Sequence, residues 1–270
     1  MDLLIRTSAI LVILFGGPAL ALWARARWRR PVAWLGVGAL TFTGAQAVRL
    51  PLLIGLTEWF QRGWLPRPSD PLILNLAILS LSAGLFEETA RYLGMRWAHR
   101  RQMRMGESLE DTDVLVLGLA HGGTEAFWVG VVGWVQLMVM QLMQEGALPI
   151  PPGAEGAVTA YWATPAWILW VGVLERGMAI VIHIGLSFLI WIGVHQRRLV
   201  WWGAAMLLHA LVNGTAGYVM TRWGMWEAEG IVALWALASV LMALRGRRLA
   251  FGAPSHTRKS LDGPACPGAD

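Results

Sequence analysis

Residues 71–97, PLILNLAILSLSAGLFEETARYLGMRW, decide which solvent this chain folds in. About 20 apolar residues, rising 1.5 Å each, carry a helix across the roughly 30 Å hydrocarbon core of a bilayer. This stretch exceeds that length, yet it holds Glu87, Glu88 and Arg91. An ionisable side chain near the centre of a membrane helix costs at least about 2.5–3.5 kcal/mol, so its default meaning is functional.

Similar apolar runs flank it at roughly 3–23, 32–56, 114–142, 164–194, 199–220 and 229–244. Over all 270 residues 56% are hydrophobic and 14% charged, too few charges to cover the surface of a soluble domain. The 17 tryptophans suit the headgroup boundary, where one ring edge stays wet. The expected fold is therefore all-α: a polytopic transmembrane helix bundle of about seven spans. Residues 1–248 read as one transmembrane domain, and 249–270 as a disordered cytoplasmic tail with too little apolar content to fold.

Charge sets the orientation. Arg25, Arg27, Arg29 and Arg30, then Arg96, Arg100, Arg101 and Arg104, fall on one side of the membrane. Arg197, Arg198, Arg245, Arg247, Arg248, Arg258 and Lys259 join them, whereas the other side holds only Arg62, Arg67 and Arg222. Fifteen against three places the N-terminus outside and the C-terminus inside, by the positive-inside rule. Asp2 ahead of the first run and the arginines behind it describe an anchor, although Ala19, Ala21 and Ala24 resemble a leader's cleavage site. An integral multi-pass protein of a bacterial cytoplasmic membrane is expected. The bilayer is its first partner. Nucleic acid is not expected, because the arginine clusters flank apolar runs. Cys266 is the sole cysteine, which excludes an internal disulfide and a cysteine metal site.

The polar residues inside the spans carry the function. Beside Glu87, Glu88 and Arg91 stand His121 and Glu125 in span four, and Glu175, Arg176, His183 and Ser187 in span five. Span six holds His209 and Asn213, and span two Arg49. Measured from the cytoplasmic ends of the apolar runs, Glu87, His209, His183 and Glu125 lie about 15–16 Å deep and His121 about 10 Å. Random placement would scatter them. His121 and Glu125, His183 and Ser187, and His209 and Asn213 are each i,i+4 and share a helix face. Glu87 and Arg91 have the same spacing, so the arginine is expected to neutralise one of the two glutamates. Arg49 and Glu175 lie at matching depth and read as a structural salt bridge, and Ser187 as a cap on a backbone carbonyl.

Imidazoles facing carboxylates suit two chemistries: a zinc ion that activates water, or a glutamate acting directly as general base with His and Asn donors at the oxyanion. Either hydrolyses a carbonyl compound within the membrane. No aspartate lies inside a span, which excludes an aspartyl mechanism, and no H-E-x-x-H motif is present.

In these residues the chain resembles the CAAX-protease and bacteriocin-processing superfamily of intramembrane proteases, and within it the YhfC-type family of membrane peptidases. The resemblance covers roughly 71–215. It rests on Glu87-Glu88-x-x-Arg91, His121 with Glu125, His183, and His209-x-x-x-Asn213. It implies a peptidase cutting a membrane-embedded or membrane-adjacent protein in the cytoplasmic half of the bilayer. Implied catalytic residues are Glu87, Glu88, Arg91, His121, Glu125, His209 and Asn213; implied zinc ligands are His121, His183, His209 and Glu88. The wider superfamily spaces its arginine three residues beyond the glutamate pair, whereas only Thr89 and Ala90 intervene here, so the base stays open between Glu87 and Glu88. Two rivals remain: a non-catalytic scaffold, as in the similar gamma-secretase subunit, or a proton or solute transporter using the same buried groups. A rhomboid-like serine mechanism lacks its second glycine, since Phe188 follows Ser187.

Overall fold

The chain's structure, a computed structural model, describes residues 1–66 and 70–251. Among these residues eight helices form and no strand. They are α1 (Asp2–Arg27), α2 (Val32–Gln61), α3 (Pro71–Arg104), α4 (Asp111–Gln144), α5 (Glu155–Ala163), α6 (Ile168–Gln196), α7 (Val200–Arg222) and α8 (Met225–Phe251).

Local chemistry sets several ends. Asp70 caps α3 by accepting from the backbone N–H of Leu72 (3.0 Å) and Ile73 (3.4 Å), with Pro71 in the first turn. Glu110 and Asp113 form a capping box on α4. Arg197 ends α6 in the left-handed region at φ 56°, reversing the chain into α7.

Six helices are long and apolar enough to cross a membrane: α1, α2, α3, α4, α6 and α8. The shorter α7 must cross as well. Trp167, at the start of α6, stacks on Trp226, at the start of α8; Gly185 meets Ser239 midway; Trp191 stacks on Phe251 near the far end. α6 and α8 therefore run parallel, and only a helix that traverses the same distance can join them. At 23 residues α7 reaches about 34 Å. This gives the seven-span bundle expected from the apolar runs. The fifth run, read from 164, becomes helix only at Ile168, and the short α5 precedes it as a separate element. α8 runs to Phe251, past the expected domain end at 248. Arg67, and residues 252–270 with Arg258, Lys259 and Cys266, lie outside the described residues.

α6 is the axis: 72% of its most apolar window is buried, against 17–28% in the other five. α1, α4, α7 and α8 pack around it, α2 lies between α4 and α3, and α3 runs along α7. Large apolar side chains such as Leu40, Ile54, Leu81, Leu174 and Leu237 face outward, while Glu88, Arg91, His121 and Ser187 are fully buried. This arrangement, apolar outside and polar inside, suits lipid as the solvent.

Small residues bring the site-bearing helices together. A Cβ on Gly84 would strike the Met206 carbonyl of α7, one on Gly122 would press Ile180 and His183 of α6, and one on Gly38 would strike Leu117 and Ala120 of α4. Gly84→Val is accordingly expected to force α3 and α7 apart and to destabilise the bundle by about 1–3 kcal/mol, read by thermal unfolding in detergent. An unchanged transition would mean that the contact yields without cost.

Candidate active site

Glu87 and Glu88 are neighbours on α3 but point about 100° apart, as adjacent helical residues must. Their surroundings differ completely. Arg91 Nη1 donates to both oxygens of Glu88, each at 2.6 Å, in a pair wholly shielded from solvent. Glu88 Oε1 also accepts from His209 Nδ1 at 2.8 Å. The guanidinium thus serves Glu88, at i,i+3, and of the two glutamates it leaves Glu87, at i,i+4, to other partners. Both Glu88 oxygens are engaged by Arg91 and one of them also by His209.

Glu87 keeps one oxygen free of strong donors. Its Oε1 accepts from Gln46 Nε2 at 2.9 Å, while Oε2 lies 3.4 Å from His121 Nε2 and 3.9 Å from His209 Nε2. Glu87, His183 and His209 offer ligand atoms all within 4.8 Å of one another. The three histidine rings lie in series, His121–His183 tilted at 5.0 Å and His183–His209 edge to face at 5.3 Å between centroids.

Hydrogen bonding from behind assigns the tautomers. Thr41 Oγ1 donates its proton to the Gly38 carbonyl at 2.9 Å, so His121 Nδ1, 2.9 Å away, must be the donor to Thr41. Its Nε2 is then a bare lone pair facing Glu87. His209 Nδ1 donates to Glu88, so the neutral ring presents its Nε2 as a lone pair as well. His183 is the reverse: Arg91 Nη2 donates to its Nδ1 at 2.8 Å, so its Nε2 carries the proton toward Glu125 Oε2 at 2.5 Å. Two imidazole nitrogens and a carboxylate oxygen therefore meet in a site where Glu87 and His209 are 4% exposed and His121 not at all. Such a group is stable only with positive charge in its midst, borne by a proton or a metal ion.

The donor set fits a metal. Glu88 and Thr41 hold the far nitrogens of His209 and His121 as outer partners hold metal-binding imidazoles, setting tautomer and ring orientation. Proximity alone selects Glu87, His183 and His209. Hydrogen bonding selects Glu87, His121 and His209, because His183 presents N–H and not a lone pair. The second set has the better chemical argument.

Other expected residues stand around this group. Glu125 accepts from His183 and from Arg176 Nη1 (3.0 Å), and Arg176 also pairs with Glu175. Ser187 Oγ donates to the His183 carbonyl at 2.7 Å, a structural bond. Asn213, one turn beyond His209, is exposed to a cavity beside the group and is not hydrogen-bonded into it. The expected Arg49–Glu175 bridge does not form. Arg49 donates to Gln46, Ser82 and the Leu79 carbonyl, because α2 packs on α3 and α4 and not on α6. Matching depth did not mean matching direction.

Depth also shifts. Glu87 lies 16 residues from Pro71 and 17 from Arg104, and His183 lies 15 from Ile168 and 13 from Gln196. His121, in contrast, lies 10 residues from Asp111 and 23 from Gln144, and His209 lies 9 from Val200 and 13 from Arg222, so the group spans from the helix midpoints toward the arginine-rich ends. Thr41 and Gln46 were missed by sequence reading. Neutral polar residues cost little in a helix, and their only signal is their place in span two with Arg49.

The chain matches the model of a family described as YhfC intramembrane metalloprotease over residues 8–236. It is 33% identical over 185 residues to a protein of Bacillus subtilis (strain 168) described as "Uncharacterized membrane protein YhfC", covering 63% of this chain and 67% of that one. No solved structure matches the chain.

Proposed function

We propose that this chain, which belongs to the YhfC intramembrane metalloprotease family, is a peptidase that hydrolyses a bond of a membrane-embedded or membrane-adjacent protein at the level of Glu87. The observation that carries this reading is that His121 Nε2 and His209 Nε2 both face Glu87 Oε2, at 3.4 and 3.9 Å, in a buried site. Inclusion in the CAAX-protease and bacteriocin-processing superfamily belongs to the same proposal, supported by the order of the Glu-Glu, His and His-x-x-x-Asn elements.

His121, His209 and Glu87 would hold a zinc ion, three protein ligands being the usual number at a catalytic site. When bound, that ion would supply Lewis acidity toward a peptide carbonyl and its attacking water. The chain's own groups do the rest. Glu88 and Arg91 keep the His209 ring in place. Arg91 fixes the proton of His183 on Nε2, where Glu125 shares it, so the His183–Glu125 pair can give or take a proton beside the reacting group. Arg176 holds Glu125 in position from the other side. The cut would fall in the cytoplasmic half of the bilayer, where His121 and His209 lie nearer the arginine-rich ends of α4 and α7.

Elemental analysis of purified protein tests the ligand set. About one zinc per chain is expected, lost in His121→Ala and His209→Ala and kept in Ser187→Ala. Zinc retained by both histidine variants would overturn the assignment.

A further inference from the structure

Toward the end of the bundle that bears the 148–156 loop, opposite the arginine clusters, lies a cavity of about 570 Å³. Its walls come from α1, α4, α5, α6, α7 and α8, and Asn213 is the residue of the wall nearest in sequence to the Glu87 group's His209. Two observations give it a role. The first is charge. Glu175 and Glu229 line it, whereas no arginine, lysine or histidine does. Glu229 Oε2 is shielded from solvent and has no hydrogen-bond partner among the described residues. A carboxylate oxygen left without a partner is costly, and a cationic group would relieve it.

The second observation is connection. Asn213, on the cavity wall, stands one turn from His209. Glu175, also on the wall, pairs with Arg176; Arg176 donates to Glu125; and Glu125 accepts from His183. Polar contacts therefore run without a break from the cavity to the site.

We propose that this cavity is the opening through which substrate reaches the Glu87 group, and that Glu175 and Glu229 receive a basic group of the substrate chain, a lysine or arginine side chain or a free amino terminus. This rests on the peptidase reading and adds to it the side of access and the chemistry selected there. Access from the arginine-rich side, the simplest expectation from a cytoplasmic cut, is the alternative that it excludes.

Thiol labelling tests this without any turnover. Cys266→Ser removes the only cysteine, and Asn213→Cys or Ala216→Cys then places one thiol on the cavity wall. Each variant is reconstituted and treated from one side at a time with membrane-impermeant methanethiosulfonates, one cationic (trimethylammonium-ethyl) and one anionic (sulfonatoethyl). Labelling is expected only from the side of the 148–156 loop. The cationic reagent should react about 10-fold faster than the anionic one, since a cleft lined by one sign of charge concentrates the opposite sign. Adding Glu229→Gln should shrink that ratio. Labelling only from the arginine-rich side, no labelling in folded protein, or equal rates for the two reagents would each overturn the proposal. Zinc content reports separately on the peptidase reading, so the two can fail independently.

Discussion

Glu87→Gln is expected to abolish cleavage while leaving the fold intact, with kcat/KM lowered at least about 10²-fold. The substituted amide is nearly the same size, and its oxygen still accepts from Gln46 Nε2. Its new NH2 group faces His121 Nε2 and His209 Nε2, the two atoms that otherwise require a positive charge between them. The variant therefore satisfies the buried imidazoles with neutral hydrogen bonds and removes the reason for a cation to bind. Lost activity should come with lost zinc and an unfolding temperature at or above that of the unaltered protein. Cleavage of a reconstituted substrate at an undiminished rate would sink the assignment of Glu87. A variant that keeps zinc and loses activity would instead make Glu87 the direct general base.

The second large effect is on stability. Arg91→Met should cost about 3–5 kcal/mol, because it leaves Glu88 as a buried charge with no countercharge. Arg91 and Glu88 are both fully buried, and the same arginine supplies the proton donor for His183 Nδ1. Removing it strands one carboxylate and frees the His183 tautomer together, so folding and activity should fail jointly. Glu88→Gln alone keeps an acceptor for Arg91 and should cost less. Combining it with Arg91→Met should recover part of the lost stability, since the stranded charge is gone. Thermal unfolding followed by tryptophan fluorescence measures all three. If the double variant is no more stable than Arg91→Met, the cost lies in packing rather than in the unpaired charge.

The contrast between Glu87 and Glu88 also shows how far the sequence reaches. Hydropathy and helix length are properties of each segment by itself, so the solvent, the all-helical class and the number of crossings were legible before any packing was known. α7 is the informative case: its polar residues keep it below the composition of the other six spans, yet its apolar run from 199 to 220 still read as a crossing. Burial of the ionisable residues was legible for the same reason, since an apolar run long enough to span leaves its members little water.

Direction was not legible. A rise of 1.5 Å per residue converts sequence position into depth, but rotation about the helix axis and the order of neighbours arise only when helices pack. Gly38, Gly84 and Gly122 set those contacts, and with them the facts that Arg49 turns to Ser82 and not to Glu175, and that Arg91 takes Glu88 and leaves Glu87 to the histidines. The sequence by itself determined that charged and imidazole groups lie buried in a membrane bundle. Only the tertiary structure decided which of them share protons and which present bare lone pairs to one another, because a hydrogen bond depends on angle and distance between helices that no single helix contains.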